Sequence, residues 1–322
     1  MAPLHEAAKA GDLEQVQQLL LLSNASDNDE INVNLPDKVL GYTPLHYASE
    51  EGHLPVVQFL VDQKGALVNA RDKEGDTPLH KASDKGHLKV VQYLVTITRG
   101  ANLVEAKDKN GSTPLHVASW GNHFEVVSCL VHHGAHVETQ NKEGQTPLHF
   151  ACKWGRLEMV QCLVEQPGGA QVLQTPDQQG LTPLHSACKG GNLEVVQYVV
   201  QLDEQNVEQQ AQDEKGQTPL HYAVGNRHMS IVQYLVEQQG ANVVETRDKN
   251  GCTPLHLAIL QQDCDMVRYL IAHNVVLLAE DVEETRDYVV VRRHRGTVWH
   301  RIKCFVRRRR NHGGSKQLAA TK

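Results

Sequence analysis

Aromatic side chains are scarce: Phe, Trp and Tyr make up 5% of the 322 residues, against 40% hydrophobic residues in all. That excludes a core built on large rings, so Leu, Val and Ala must fill it. Cysteine offers no framework either. There are seven, an odd number, and no two form a CxxC pair. Cysteines so scattered suit a reduced, intracellular protein better than one stapled by disulfides. No apolar stretch approaches the roughly 20 residues of a membrane-spanning helix. The opening MAPLHEAAKAGDLEQVQQLL has acids where a secretory leader needs an apolar run, so no leader is expected. GxSxG, HExxH and Gly-rich phosphate loops are missing too, which removes the common hydrolase, metalloprotease and nucleotide-binding signatures. The expectation is no enzyme and no cofactor.

Negative charge is missing from one end only. All 38 Asp and Glu lie in residues 1–287, with 21 Lys and Arg, a balance of −17; residues 288–322 hold 11 Lys and Arg and no acid, +11. The formal net charge of −6 conceals that asymmetry. A segment so charged points to an acidic or polyanionic partner, or to the acidic body of the same chain.

What is present is repetition. TPLH occurs seven times, beginning at Thr43, Thr77, Thr113, Thr146, Thr182, Thr218 and Thr253, at intervals of 33 to 36 residues, with an eighth copy, APLH, at Ala2. The pattern has physical sense. Pro in the first helical turn costs no hydrogen bond, and the Thr before it offers an N-cap oxygen. Leu and the Ala three residues later share a helix face. The Gly of EGHL and KGHL permits a left-handed residue between two short helices. Leu193, Val196, Val199 and Val200 form one apolar stripe on the second helix. DKEG and DKNG are turn sequences. Asn122, Arg227 and Gln262 replace the inter-helix Gly in three repeats.

A period near 33 with a TPLHxA core resembles the ankyrin repeat. The resemblance covers roughly residues 2–280 and implies an α fold class: a repeat solenoid of helix-turn-helix units joined by short hairpin loops. Residues 1–280 form a domain of about eight repeats, and residues 281–322 a basic C-terminal segment. The resemblance also implies that the motif Thr and His bond to each other and to neighbouring backbone, at His46, His80, His116, His149, His185, His221 and His256. These histidines therefore read as architectural. In CLVHHGAH, Cys129, His132, His133 and His136 lie within eight residues, but Cys129 stands where other repeats have Cys162, Phe59 and Tyr93. Four convergent ligands do not follow from that spacing, and no metal site is expected. Cys152 and Cys188 share one repeat position and read as small buried side chains.

The resemblance further implies that partners are gripped by the hairpin tips and the ends of the first helices, on a concave face. Those positions hold Glu50, Glu51, Asp84, Lys85, Trp120, Lys153, Trp154 and Lys189. Trp120 and Trp154 stand in adjacent repeats, and an exposed Trp pair has the composition of a binding hot spot; flat cover over a neighbouring repeat is the other reading. A protein partner and a monomeric chain are expected.

Beyond the repeats, Val298, Ile302 and Phe305 are spaced for a basic amphipathic helix, while YVVV and TVWHRIKCFV are equally spaced for two strands turned at RHRG. The clusters Arg292, Arg293, Arg295 and Arg307, Arg308, Arg309, Arg310 fit a nuclear import receptor or a nucleic acid as partner. The final GGSKQLAATK resembles part of a core histone tail with one extra Ala, which implies Lys316 and Lys322 as modified lysines. A plain solvated basic end, or one added by cloning or gene assignment, gives the same letters. The function expected is a non-catalytic interaction scaffold, cytoplasmic or nuclear. The alternatives are a chromatin-directed protein or host-cell effector with the tail as address or mimic, and nucleic-acid binding through the tail.

Because each repeat is stabilised by its neighbours and residues 288–322 complete no repeat, a chain ending near Leu278 is expected to keep its helical circular dichroism and unfold cooperatively. Loss of helix or aggregation of that shorter chain would make the tail a structural cap.

Overall fold

The structure is a computed structural model that describes residues 2–22, 31–97, 103–202, 211–239, 242–273, 282–284, 288–292 and 299–303. Helices alternate in pairs. The first of each pair begins at the motif proline: Pro3–Ala10, Pro44–Glu50, Pro78–Asp84, Pro114–Trp120, Pro147–Trp154, Pro183–Gly190, Pro219–Gly225 and Pro254–Leu260. The second helices are Leu13–Leu22, Leu54–Gln58 with a π-helical continuation Phe59–Gln63, Leu88–Ile97, Phe124–His132, Leu157–Val164, Leu193–Leu202, Met229–Gln239 and Cys264–Ala272. Consecutive first helices pack on one another, and consecutive second helices do the same from Leu13–Leu22 to Met229–Gln239. This is the expected α-helical repeat solenoid.

Each helix start follows from its letters. The seven motif threonines sit at the N-cap with extended backbone and form a capping box with the histidine three residues on. Ala2 in the first copy provides the extended backbone but no side-chain cap. The motif Leu and Ala are buried in all eight repeats, from Leu4 and Ala7 to Leu255 and Ala258. Val195, Val196, Val199 and Val200 carry the second-helix stripe into the same continuous core, with Leu193 packed at its border.

The hairpins between repeats are Asx turns. Asp72 Oδ1 accepts from the N–H groups of Glu74 and Asp76, and Asp108, Asn141, Asp177, Asp213 and Asp248 repeat the pattern. Backbone bonds then tie neighbouring tips, as from Lys73 N–H to the Leu40 carbonyl and from Lys109 N–H to that of Glu74. The turn at Asp37–Gly41 is one residue longer than the others and apolar, leaving Val39 78% exposed. Residues that vary between repeats follow the second helices, where Gly169–Val172 and Asn242–Glu245 add short helices. Most of the polar, acidic insertion of the first repeat, residues 23–30, lies outside the described residues.

A relation between neighbouring repeats was not legible in one repeat alone. In most repeats the residue after the inter-helix position reaches back over the glycine at that position in the preceding repeat. His53, His87, His123, Asn192 and His228 thereby donate to the carbonyls of Lys9, Glu50, Asp84, Lys153 and Lys189 at 2.8–3.4 Å. A Cβ at Gly11, Gly52, Gly86, Gly155 or Gly191 would strike the side chain above it. Asn122 and Arg227 adopt the same positive φ, 60° and 62°, and the residues facing them are Arg156 and Asp263 rather than His or Asn. Arg156 Nη1 donates to the Asn122 carbonyl at 3.2 Å instead. The glycine is therefore kept as much by the imidazole above it as by its own backbone.

The C-terminal segment resolves one alternative. Val282–Glu284 (β1), Tyr288–Arg292 (β2) and Trp299–Lys303 (β3) form an antiparallel sheet in the order β1-β2-β3, with Tyr288 opposite Lys303 and Arg292 opposite Trp299. Residues 299–303 are thus strand and not amphipathic helix, in keeping with the β-branched and aromatic content of both strands. Arg293, Arg295, Arg307, Arg308, Arg309, Arg310, Lys316 and Lys322 lie outside the described residues.

The glycine–imidazole relation is testable by compensation. Gly86→Asn is expected to destabilise by about 1–3 kcal/mol, the range of an overpacked core site, although Asn tolerates the backbone. Gly86→Asn with His123→Arg, which reproduces the Asn122–Arg156 pair, is expected to recover most of that loss in urea unfolding. Additive costs would show that the two positions are independent.

Candidate interaction surface

The motif histidines and threonines make up most of the buried polar side chains among the described residues. Thr43 N–H donates to His46 Nδ1 at 3.1 Å, and the Thr43 hydroxyl lies 2.8 Å from the same nitrogen. His46 Nε2 then donates to the Asp76 carbonyl in the next hairpin at 3.1 Å. The first two contacts recur at His80, His116, His149, His185, His221 and His256. The third recurs from His80 to His221, on the carbonyls of Ser112, Gln145, Leu181, Gln217 and Cys252. A backbone N–H can donate only to an unprotonated nitrogen, so each ring is neutral with its proton on Nε2. Burial also holds the rings neutral: His46, His80, His149 and His221 titrate below the usual histidine range, and His116 and His185 down at about 4. No imidazole in this set is open to a substrate or a metal. The resemblance-based role stands.

The CLVHHGAH cluster divides rather than converges. His133 Nδ1 bonds the Cys129 carbonyl at 2.8 Å, with Cys129 Sγ 3.8 Å away. His136 instead faces Glu105 of the preceding repeat, its N–H donating to Oε1 at 2.8 Å. Among the described residues no three His, Cys, Asp or Glu are grouped to hold a metal ion. Cys129 and Cys162 are half-buried along an open groove of about 490 Å³ between second helices, with Phe124, His132, His133 and Gln166. Burial pushes both thiols up. Cys152 and Cys188 are fully buried and their thiols are held neutral. These are packing thiols.

The ends of the first helices are different. Trp120 and Trp154 are 48% and 46% exposed, with ring centroids 5.7 Å apart at 80°, edge to face. Phe150, nearly buried, supports Trp120 at 5.4 Å and 85°. Lys153 Nζ lies 4.9 Å from the Trp120 centroid and 5.5 Å from that of Trp154, within cation–π range of both. The two indoles anticipated from their spacing thus form one patch. They pack edge to face on each other. Phe150 was not singled out from the sequence, though it occupies the same repeat position as Tyr47, Lys81 and Tyr222 on the facing row.

The other anticipated positions line the same row. Glu50 and Asp84 are half-buried, Glu51, Lys85 and Lys189 exposed. Lys85 Nζ lies 3.0 Å from Asp84 Oδ2. A second cluster also went unanticipated. Lys81 Nζ contacts Asp76 at 2.6 Å and Asp72 at 3.0 Å and lies 4.9 Å from the Tyr42 centroid. Burial alone would lower its pKa, but Asp76, Tyr42 and Asp72 outweigh that and raise it. A lysine so held is a structural cation and no nucleophile.

Comparison with known proteins agrees with this geometry. The family described as "Ankyrin repeats (3 copies)" matches residues 4–106, 65–141, 102–175, 134–211 and 201–281. The chain belongs to the ankyrin-repeat family. Its members generally mediate protein–protein interaction. A 72-residue segment is 39% identical to the human ankyrin repeat domain-containing protein SOWAHB, covering 22% of this chain and 9% of that protein. A 69-residue segment is 45% identical to alpha-latrotoxin-Lh1a of Latrodectus hasselti, covering 21% of this chain and 4% of the toxin. The matched segments are thus a small part of either relative. Among the described residues no helix is long and apolar enough to cross a membrane.

The neutral histidines set a pH dependence. Between the ordinary value near 6.5 and about 4, the unfolded chain binds protons that the folded chain refuses. Stability is therefore complete above about pH 6.5 and falls as pH drops through that window. His116 and His185 each account for a loss on the order of 1 kcal/mol by pH 5.5. Urea midpoints measured at pH 7.5, 6.5 and 5.5 are expected to fall, and less steeply in His116→Gln. A flat profile would mean that the rings titrate normally.

Proposed function

We propose that this chain is a non-catalytic scaffold that binds a partner protein on its concave face, anchored by Trp120 and Trp154. The observation that carries this reading is the half-exposed indole pair at the ends of two adjacent first helices, braced by Phe150 and Lys153. A contiguous aromatic patch left in water has a cost that burial against a partner removes. Glu50, Glu51, Asp84, Lys85, Lys153 and Lys189 rim it. The chain acts inside the cell as a monomer.

A second role rests on charge. Residues 288–322, with 11 Lys and Arg and no acid, serve as an address or a regulatory arm, engaging an import receptor or a nucleic acid. The solenoid and the arm are separable: affinity purification with the full chain and with residues 1–280 should recover the concave-face partner from both and any tail partner from the full chain only.

Trp120→Ala and Trp154→Ala are each expected to weaken the recovered partner by about 10- to 100-fold, the range of a truncated hot-spot tryptophan, with the melting temperature nearly unchanged. A large drop in melting temperature with binding intact would return both indoles to a packing role.

A further inference from the structure

The face that carries the tryptophan pair is also ordered by charge. Counted from the motif proline, the seventh residues of consecutive repeats are Glu50, Asp84, Trp120, Lys153 and Lys189, and the eighth are Glu51, Lys85, Gly121, Trp154 and Gly190. Repeats two and three thus place three carboxylates there against one lysine, and repeats five and six place two lysines and no acid. Lys85 is spent on Asp84 at 3.0 Å. Among the described residues the side chains of Glu50, Glu51 and Lys189 form no hydrogen bond or ion pair, and Lys153 engages only the two indole rings. The backbone beneath Glu50, Asp84, Lys153 and Lys189 is held by His87, His123, Asn192 and His228. The charges are therefore presented on a fixed frame.

The aromatic centre is itself selective. Lys153 Nζ stands 4.9 and 5.5 Å from the two ring centroids, so an incoming arginine or lysine meets an ammonium already placed there. An uncharged apolar or aromatic side chain does not, and it gains the half-exposed indole surface. A carboxylate arriving just beyond gains the open N–H donors of Lys153 and then Lys189. At the other end Glu50 and Glu51 attract a cation. A nucleic acid, with one sign of charge throughout, fits only half of this row.

We propose that this face binds an extended segment of a partner protein in which a basic residue, an apolar or aromatic anchor and an acidic residue follow one another. The basic residue lies over repeats two and three, the anchor on Trp120 and Trp154, and the acidic residue over repeats five and six. The inference rests on the reading of the tryptophan pair as the binding anchor. Charge complementarity of this kind fixes register and excludes wrong partners more than it adds affinity.

The test pans a random dodecapeptide display library on the full chain, with the Trp120→Ala/Trp154→Ala variant as counter-target. The enriched peptides are expected to carry an apolar anchor with Lys or Arg on one flank and Asp or Glu on the other. A synthetic peptide of the enriched sequence is then titrated by fluorescence anisotropy. Its affinity is expected to fall about 10-fold on Lys153→Glu/Lys189→Glu and on Glu50→Lys/Glu51→Lys, as for close charge pairs at an interface. Restoring the matching charge on one flank of the peptide should recover each loss separately. Glu50→Gln/Glu51→Gln, a milder change on exposed side chains, guards against misfolding, with circular dichroism of every variant.

Tryptophan-dependent peptides with like charges on both flanks, or indifferent to both reversals, overturn the charge order and leave the anchor standing. Peptides that bind the counter-target equally, or no enrichment over it, overturn both. Self-association of the full chain in sedimentation, lost in Lys153→Glu/Lys189→Glu, assigns the face to a second copy and overturns the partner segment.

Discussion

One buried polar contact sets the terms for the rest of this molecule. The motif imidazole takes the threonine N–H on Nδ1 and gives its own proton to a carbonyl of the following hairpin. It thus closes the start of its own helix and reaches the next repeat with the same ring. A buried polar ring left unpaired would cost on the order of 1–3 kcal/mol, so the bond makes each repeat conditional on its neighbour. Repetition of the bond from His46 to His221 turns a row of marginal helix pairs into a continuous array.

The second ladder has the opposite polarity. There the side chain after the left-handed inter-helix residue reaches backwards, to the last carbonyls of the preceding first helix. Helix C-termini otherwise leave such carbonyls without partners. Between them the two ladders fix both ends of first helices such as Pro44–Glu50, Pro78–Asp84, Pro147–Trp154 and Pro183–Gly190, and the residues at the second end are free to vary because their backbone, not their side chains, is what the array uses. The binding positions fall at that end. A rigid frame beneath variable side chains is what an interaction surface requires.

The array also separates its polar chemistry by face. The ends of the first helices carry indoles and charges, whereas the groove between second helices carries half-buried thiols that burial keeps protonated. A residue's repeat position therefore says more about its role than its chemical type does. The same is true of histidine. His46 in the core is a neutral link, His87 on the second ladder closes a helix end, and the His136 ring lies 3.7 Å from the Glu105 carboxylate.

Much of this was legible in the sequence, because the determining interactions are local or recur at a fixed offset. TPLH specifies a cap, a first turn and a buried face within four residues, and its spacing specifies the stack. Asn122, Arg227 and Gln262 could be placed in the left-handed position from alignment alone, and they adopt it. The exposure of Trp120 and Trp154 followed from the same alignment. What the sequence left open depended on neighbours that no single repeat contains. Whether two tryptophans 34 positions apart touch, and that Lys153 lies over both, is decided by stacking. So is the fit of His123 over Gly86, which a Cβ would prevent. Strand or helix at residues 299–303 was likewise undecidable from spacing, since β pairing is a choice between distant segments, and only the register of Tyr288 against Lys303 settles it. Periodicity determined the fold because every repeat states it again; tertiary packing decided the surface because each contact there belongs to two repeats at once.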